Sequence, residues 1–338
     1  ILGGLGETRS SLDKGQRKET PLETAAREGF EESRMLLPYR DIMTRARRLG
    51  SSRGFTIFSK NGKVRFDVGM EFEYESARAG HYNEGRSENK GGEPESVESA
   101  TIDGTDLLFV GAERANVVGV YDVSNRKNPE LLQLLPTSIG PEGLTTIPRR
   151  GLFVVANEVA EGGVPSLITV YQHNGASDSP AYPQLLSDDE PSGTPVPWVA
   201  MSALAGTPDD ADTIYGVSDS FLADGFVYSI DVGGDRARIT ERTRVTDPQG
   251  LAAPLEFFPD LEGIAVAPEG GVWLASEGRT SSGTVVRDHA IIRVADDGVV
   301  REYDPRPEDL VDGATNSGFE GIAVAGDGTT EYVYAVVQ

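Results

Sequence analysis

The sequence predicts an all-β protein of the β-propeller class, with about five blades in a closed or partial ring and a short helical segment at its amino terminus. Three observations support this prediction. A strand–turn–strand unit recurs along the chain, a third apolar strand follows most copies, and 40 Gly and 20 Pro among 338 residues fit many tight turns better than long helices. Repeats of about 40–60 residues built from strands are typical of propeller blades.

The recurring unit is clearest in DLEGIAVAPEGGVWLASEG, residues 260–278. One apolar strand carries an acid near its start, a turn with Pro and Gly follows, and a second apolar strand ends on another acid, which predicts a hairpin. The equivalent first positions, 47 to 60 residues apart, are Glu95, Glu142, Ser202, Glu262 and Glu320. The second strands end at Glu113, Glu158, Asp219, Glu277 and Gln338. Third strands are predicted at 116–123, 166–173, 226–232 and 290–297.

Composition narrows the classes of function. The formal net charge of −23 disfavours nucleic acid as a partner, because phosphate binding needs a basic surface. There is no cysteine, so disulfides, cysteine nucleophiles and thiolate metal sites are excluded. No apolar run reaches the roughly 18 residues that a membrane-spanning helix needs. The chain begins at Ile1 with no visible signal peptide, which suggests a fragment or a processed form.

Residues 1–50 differ from the rest because they are basic and helix-prone. Glu28, Glu31 and Glu32 stand at i, i+3 and i+4, which places three carboxylates on one helix face, a geometry able to hold a divalent metal beside a pyrophosphate. With the preceding Arg27, this stretch resembles the Nudix box. Three interpretations follow: a solvated helix with i,i+4 ion pairs, an inactive Nudix remnant, and a Nudix-type diphosphate hydrolase.

The β pattern begins with GFTIFSKNGKVRFDVG, two strands around an Asn61-Gly62 turn, which is a strong hairpin signal. The polar stretch that follows, residues 75–96, is expected to be an exposed loop. We expect the two strands within 54–67 to complete the blade that begins at Glu320 and so close the ring. An open fragment is the alternative.

Two blocks of blades are predicted, residues 51–175 and 176–338. The first contains SRGFTIFSKNGKVRFDVG, GAERANVVGVYDVSN, GPEGLTTIP and LFVVANE, and in these motifs it resembles the propeller domain of the choice-of-anchor I family. The second contains DLEGIAV, GGVWLASEG, GFEGIAV and EYVYAVVQ, and it resembles the esterase-like phytase domain. The resemblance implies two propeller segments in one chain, a phosphoester hydrolase activity, and an extracellular or periplasmic location.

The repeated acids are candidate metal ligands. We expect the first acids to project near one mouth of the channel and the second acids to face a common end. Carboxylates crowded in this way repel one another, so either some are protonated or a hard cation such as Ca²⁺ compensates their charge. The predicted ligands are Glu95, Glu142, Glu262, Glu320, Glu113, Glu158 and Glu277. The alternative is that each acid caps turn amides and acts as a structural latch between blades.

Arginines close to the second acids are candidate phosphate ligands, since guanidinium binds phosphate oxygens in a bidentate manner. They are Arg114, Arg279 and Arg287. The predicted catalytic residues are Glu262, Glu320, Asp219 and Arg279. Histidine-based phosphatase chemistry is disfavoured, because none of His81, His173 and His289 lies in an RHG motif.

Two functions of different class remain. The first is a metal-dependent phosphoester hydrolase that acts on a small phosphorylated substrate at the acidic mouth of the propeller, with Ca²⁺ as the expected ion. The second is a non-catalytic acidic propeller for calcium-dependent surface attachment or mineral binding. Calcium-dependent phosphate release separates them, because only the first predicts it.

Overall fold

A computed structural model describes most of the chain from residue 53 onward. The described ranges are 53–87, 91–175, 184–207, 209–246, 260–281, 284–287, 289–305, 318–326 and 330–337. They fall into two compact units, the first unit within 53–77 and 81–175 and the second unit within 78–80 and 184–337. The predicted Nudix-like helix with Glu28, Glu31 and Glu32 lies outside the described residues.

The first unit contains nine strands and one α-helix among the described residues. They are β1 (Thr56–Phe58), β2 (Val64–Asp67), α1 (Glu71–Arg78), β3 (Pro94–Ile102), β4 (Thr105–Ala112), β5 (Val117–Asp122), β6 (Glu130–Pro136), β7 (Pro141–Ile147), β8 (Leu152–Asn157) and β9 (Leu167–Gln172). Strands β3 to β6 form one antiparallel sheet in chain order, and β7 to β9 form another. Strands β1 and β2 form the predicted hairpin, with Gly62 at a φ of 67° in its turn.

The core of the first unit lies on both faces of the sheet β3–β6. On one face the β1–β2 hairpin and α1 supply Phe55 and Phe72, whose rings lie 4.9 Å and 6.2 Å from that of Tyr121. On the other face Phe109 stacks on Phe153 of the next sheet at 4.1 Å. Burying a side chain of this size stabilises the fold by about 1.5–3 kcal/mol. Sheets therefore stack face to face, as blades do.

Helix α1 corrects one prediction, since its last four residues fall in the stretch predicted to be an exposed loop. Its buried residues are Phe72, Ser76 and Ala77. The hydroxyl of Ser76 donates to the carbonyl oxygen of Phe72 at 2.7 Å. Small and polar residues thus form part of the buried face, so the apolar periodicity of this helix is weak in the sequence.

The second unit contains thirteen strands among the described residues. They are β10 (Leu185–Ser187), β11 (Met201–Gly206), β12 (Thr213–Ser218), β13 (Phe226–Asp231), β14 (Ala237–Arg244), β15 (Asp260–Val266), β16 (Val272–Glu277), β17 (Arg279–Ser281), β18 (Thr284–Arg287), β19 (Ala290–Val294), β20 (Val300–Pro305), β21 (Phe319–Gly326) and β22 (Glu331–Val337). The sheet orders are β10-β14-β13-β12-β11, β15-β16-β19-β20, β17-β18 and β21-β22. Only β10, which pairs with β14, is parallel to its neighbour. Leu261, Leu274 and Ile292 are fully buried in the core of this unit.

The five predicted strand–turn–strand units are five antiparallel hairpins. They are β3–β4, β7–β8, β11–β12, β15–β16 and β21–β22. The predicted third strands are also present, as β5, β9, β13 and β19. Within each unit, the first strand of one hairpin contacts the first strand of the next, β3 with β7 in the first unit and β11 with β15 and β15 with β21 in the second. This blade-type arrangement confirms the predicted all-β, propeller-class fold.

A β-bulge recurs at the same place in all five hairpins. The ladder skips one residue of the first strand, and the skipped residues are Glu95, Glu142, Ser202, Glu262 and Glu320. Strands β1 and β2 pair with each other and pack into the core of their own unit. Their predicted role in closing the sheet begun at Glu320 stays a prediction.

Candidate functional site

In the first three hairpins, the bulge and one backbone hydrogen bond bring the bulge residue and the second acid to the same end. The backbone N–H of the second acid donates to the carbonyl oxygen of the residue two positions before the first acid. This bond joins Glu113 to Glu93, Glu158 to Gly140 and Asp219 to Ala200, at 2.8, 2.9 and 3.0 Å. In the fourth hairpin the corresponding residues, Glu277 and Asp260, are paired in the ladder. Bulges redirect side chains away from the alternation of a strand, and they are common beside active sites.

The second-unit cluster consists of carboxyl groups from three successive hairpins. Its members are Asp219, Asp260, Glu262, Glu277 and Glu320. One carboxylate oxygen from each of Asp219, Asp260 and Glu262 lies within 4.8 Å of the other two. Asp260 and Glu277 are buried, with exposed fractions of 7% and 8%.

Backbone and hydroxyl donors hold this cluster in place. The backbone N–H of Ser220 donates to Asp260 Oδ1 at 3.1 Å and also to the carboxylate of Asp219. The backbone N–H of Asp260 donates to the hydroxyl of Ser276 at 3.1 Å. One peptide N–H therefore draws together two carboxylates from neighbouring hairpins, which favours a fixed arrangement of their oxygens.

The carboxyl groups of the second-unit cluster destabilise one another's ionised forms. Burial, followed by the charges of Asp219, Asp260, Glu320 and Glu277, raises the pKa of Glu262 to about 7. Burial also raises the pKa of Glu277 to about 7, together with the charge of Glu320 and a side-chain hydrogen bond to it. At neutral pH this cluster holds more negative charge than its surroundings favour, so either a proton or a cation stabilises it.

The first-unit cluster has a similar set of acids but contains a guanidinium group. Carboxylate oxygens of Glu93, Glu95 and Glu113 lie within 4.8 Å of one another. Arg114 donates from Nε to Glu93 Oε2 and from Nη2 to Glu113 Oε1, both at 2.8 Å. Arg86 Nη2 lies 2.7 Å from Glu93 Oε1. Glu93 is fully buried, so these two ion pairs compensate a charge that has lost its hydration.

The first-unit cluster extends to the next hairpin through Glu142 and Glu158. Burial raises the pKa of Glu142, as do the charge of Glu158, the charge of Glu113 and a side-chain hydrogen bond to Glu158, whereas Arg114 lowers it. In both units, therefore, the second acid of one hairpin lies near the first acid of the next. Arg114 is the basic group that balances this interaction in the first unit.

The structure brings together most of the predicted site residues, in two groups. Glu95, Glu113, Glu142 and Glu158 join Arg114 in the first-unit cluster, and Asp219, Glu262, Glu277 and Glu320 form most of the second-unit cluster. Arg279 and Arg287 are cross-strand partners in the β17–β18 hairpin. Their predicted phosphate contacts stay a prediction, as do the metal-binding and catalytic roles of the acids.

Sequence reasoning missed three acidic or basic members of these clusters: Glu93, Asp260 and Arg86. Two of them had a signal in the sequence, because Glu93 and Asp260 precede the first acids of their hairpins by two residues. A spacing of i, i+2 directs both side chains to one face of a strand. Arg86 is the last residue of a short 3-10 helix, Glu84–Arg86, and meets Glu93 only through the fold, so no local pattern indicates it.

Comparison with known families finds a match in each of two segments of the chain. Residues 196–338 match the sequence model of a family described as "Phytase-like: Esterase-like activity of phytase". Residues 40–126 match that of the "Choice-of-anchor I domain". The chain is similar to both families. The whole second-unit cluster lies in the phytase-like segment, and this match supports a hydrolase-type activity at the family level.

Comparison with other proteins adds little. No curated protein matches the chain. Hydrazine synthase of Kuenenia stuttgartiensis is 16% identical with a TM-score of 0.27, over 83% of this chain and 67% of that one. A functionally unknown protein of Desulfotomaculum acetoxidans is 14% identical with a TM-score of 0.24, over 71% of this chain and 64% of that one. The RRP9 WD40 repeats are 13% identical with a TM-score of 0.21, over 73% of this chain and 60% of that one. The chain thus spans about two thirds of the length of these structures, and at such TM-scores the likenesses carry no inference about function.

None of the helices that the structure describes has the length and apolar character needed to cross a bilayer.

Proposed function

We propose that the protein is a metal-dependent phosphoric ester hydrolase, that Ca²⁺ is its ion, and that the second-unit cluster is its active site. The observation that carries this proposal is the grouping of Asp219, Asp260 and Glu262 within the segment that matches the phytase-like family. A small phosphorylated molecule is the proposed substrate. An extracellular or periplasmic location, where calcium is abundant, is part of the proposal.

The donor atoms of this group fit a hard cation. All are carboxylate oxygens, which Ca²⁺ and Mg²⁺ prefer to nitrogen or sulfur. Calcium binds oxygen at about 2.3–2.6 Å, so two oxygens on one ion lie at most about 5 Å apart. The 4.8 Å limit on the oxygens of Asp219, Asp260 and Glu262 meets that condition. The peptide N–H of Ser220 already orients two of these carboxylates.

The residues of the cluster divide into two roles. Asp219, Asp260 and Glu262 would hold the ion, which when bound would offset their charge and polarise a phosphoryl oxygen of the substrate. Burial and the charge of Glu320 raise the pKa of Glu277 to about 7, so this pair of carboxyl groups can hold a proton near neutral pH. We assign to this pair the proton that the leaving alcohol oxygen takes up as its bond to phosphorus breaks. The attacking water returns a proton to the pair, so the step balances.

A second candidate is favoured by the match to the choice-of-anchor I domain. In this alternative the acids bind calcium for attachment to a surface or a mineral, with no chemistry. It predicts calcium binding without phosphate release.

The test measures phosphate released from phytate and from p-nitrophenyl phosphate by the full chain, in chelator and after calcium is restored. We expect activity that chelator abolishes, that calcium restores, and that Glu262→Gln removes. Glu130→Gln, at an exposed strand start outside both clusters, serves as the control and should retain it. Calcium binding by calorimetry without any phosphate release would support surface attachment and overturn the hydrolase proposal.

A further inference from the structure

His289 lies immediately before β19, whose first residues pair with the end of β16. Ala290 pairs with Ser276 in the antiparallel ladder, so His289 stands opposite Glu277. The exposed fraction of His289 is 7%. Its Nδ1 accepts a hydrogen bond of 2.9 Å from the backbone N–H of Gly278. Because that nitrogen accepts, it carries no hydrogen, and the N–H of the neutral ring is on Nε2.

The imidazole ring fills space that two glycines leave open. A Cβ built on Gly278 would lie 2.6 Å from His289 Cγ, and one on Gly318 would lie 2.9 Å from His289 Cε1 and 3.1 Å from the Cα of Glu277. Gly278 directly follows Glu277, and Gly318 precedes Glu320 by two residues. The ring is therefore packed between the end of β16 and the start of β21, the two strand ends that carry the carboxyl pair.

We infer that His289 is a positioning residue, which fixes the distance between the two strand ends that carry Glu277 and Glu320. This inference rests on the proposed function, because it concerns the pair that supplies the proton. Two contacts fix the separation: Nδ1 of the ring accepts from the amide next to Glu277, and the Nδ1–Cε1 edge of the ring packs against Gly318, two residues before Glu320. A side chain that lacks either contact lets the two strand ends shift, and a displacement of about 1 Å is enough to cost roughly 100-fold in rate.

Two variants separate the hydrogen bond from simple packing. His289→Asn keeps an acceptor oxygen close to the position of Nδ1, whereas His289→Leu fills the space without an acceptor. We expect His289→Leu to lower kcat for p-nitrophenyl phosphate by roughly 10- to 100-fold. The KM and the calcium Kd should change less than about threefold, because the three proposed calcium ligands keep their own contacts. His289→Asn should retain most of kcat, and His173→Asn in the first unit is the matched control.

Hydrogen exchange gives a readout that does not depend on activity. The amide of Gly278 should exchange faster in His289→Leu than in the parent and should stay protected in His289→Asn. A parent-like kcat in His289→Leu overturns the inference, and so does an equal loss of kcat in both variants, because that pattern indicates a general packing defect.

A double-mutant cycle with Gly318 tests whether packing of the His289 ring against Gly318 sets the position of the two strand ends. Gly318→Ala places a methyl group against the ring and should lower kcat in the parent background. In the His289→Ala background the same methyl group enters vacated space, so the two losses should be less than additive. Additive losses would overturn the inference. A parent protein with no calcium-dependent activity would instead overturn the proposed function, whereas an active parent with unaffected His289 and Gly318 variants overturns only this inference.

Discussion

The two clusters are built on the same backbone plan but balance their charge differently. In each, acids at bulge positions meet the second acids of neighbouring hairpins. In the first unit the residue after the second acid is Arg114, whose guanidinium contacts both Glu93 and Glu113. In the second unit the residues at that position are Ser220 and Gly278, which contribute backbone N–H groups. Burial and the charges of neighbouring carboxylates raise the pKa of Glu262 and Glu277, whereas in the first unit Arg114 lowers the pKa of Glu142.

A residue with left-handed backbone stands two positions before the bulge in the first three hairpins, and it is Glu93, Gly140 and Ala200. Glu93 has a φ of +50°, a conformation that favours glycine, and the equivalent residue in the next hairpin is Gly140 at +71°. A charged residue is thus kept in a left-handed, fully buried position, where its two arginine partners offset the cost. Among the described side chains, the first-unit cluster therefore contains a cation of its own, whereas Glu262 and Glu277 in the second unit are shifted by burial and by other carboxylates.

The largest expected effect comes from removing two charges in the second unit. Glu262→Gln with Glu320→Gln should abolish phosphate release and the calcium-dependent rise in Tm. That rise corresponds to about 2.7 kcal/mol at 100 times the Kd. The apo variant should be no less stable than the parent, because the charges it loses repel one another. Thermal melts with calcium and with chelator measure this.

The matched pair in the first unit is Glu95→Gln with Glu142→Gln, which should leave most of the calcium response in place. If instead the second-unit variant is destabilised without calcium and keeps its calcium response, its acids are turn latches and the comparison fails.

Replacing Arg114, whose guanidinium group contacts Glu93 and Glu113, should leave the carboxylates of the first-unit cluster less compensated, as in the second-unit cluster. Arg114→Gln leaves buried Glu93 with Arg86 as its remaining described ion-pair partner. We expect a loss of about 2 kcal/mol, below the usual cost of about 3–5 kcal/mol for breaking a buried pair, because Arg114 is 41% exposed. Calorimetry should then detect one further calcium equivalent. Arg126→Gln, at a largely exposed ion pair, is the control and should change stability little.

The second-unit cluster should lower the stability of the apo protein as pH rises from about 4.5 to about 7, whereas partly buried His81, whose pKa is lowered, acts in the opposite direction. Burial and neighbouring charges raise the pKa of Glu262 and Glu277 to about 7, so between these limits the folded state binds more protons than the unfolded state. The raised pKa of Glu142 acts in the same direction. The loss of stability is complete above the pKa that Glu262 and Glu277 have in the folded state, and it is absent below their pKa in the unfolded state. Melts in chelator from pH 5 to 8 check this, and a Tm that rises over pH 5–7 would contradict a dominant effect of the raised pKa values.

The smallest expected effect is at the bulge position that carries no acid. The hydroxyl of Ser202 donates to the backbone carbonyl oxygen of Leu261, in the next hairpin. Ser202→Ala should therefore cost about 1 kcal/mol, as expected for one hydrogen bond. The calcium dependence of Tm should stay as in the parent. A changed calcium response would show that the Ser202 hydroxyl, in addition to Asp219 of the same hairpin, contributes to the metal site.

Local patterns in the sequence predicted most of the fold. The five hairpins and their third strands were confirmed because alternation and turn residues act over a few neighbouring positions. The bulges could not be predicted, since one extra residue becomes visible only when the two strands are aligned against each other. The parallel strand β10 was missed as well, because its partner β14 lies about 50 residues away along the chain.

The candidate site was predictable where it repeats and hidden where it does not. The acids recur at a fixed place in each hairpin, so their grouping follows from the repeat. Arg86 and His289 each occur once: Arg86 meets Glu93 through the fold, and His289 meets Gly278 where the adjacent strands β19 and β16 end. Such residues leave no periodic trace, and their roles depend on the distances that the fold creates.

The shared bulge has a consequence for how such a chain can change over generations. A bulged residue takes no part in the pairing of its sheet, so exchanging its side chain leaves the cross-strand hydrogen bonds intact. When a hairpin of this kind is duplicated, the copy already contains one position aimed at its neighbour and free to vary. Ser202 and Glu262 occupy that position in adjacent hairpins. The hydroxyl of Ser202 donates to the backbone carbonyl oxygen of Leu261 in the next hairpin, whereas the carboxylate of Glu262 belongs to a candidate reaction centre.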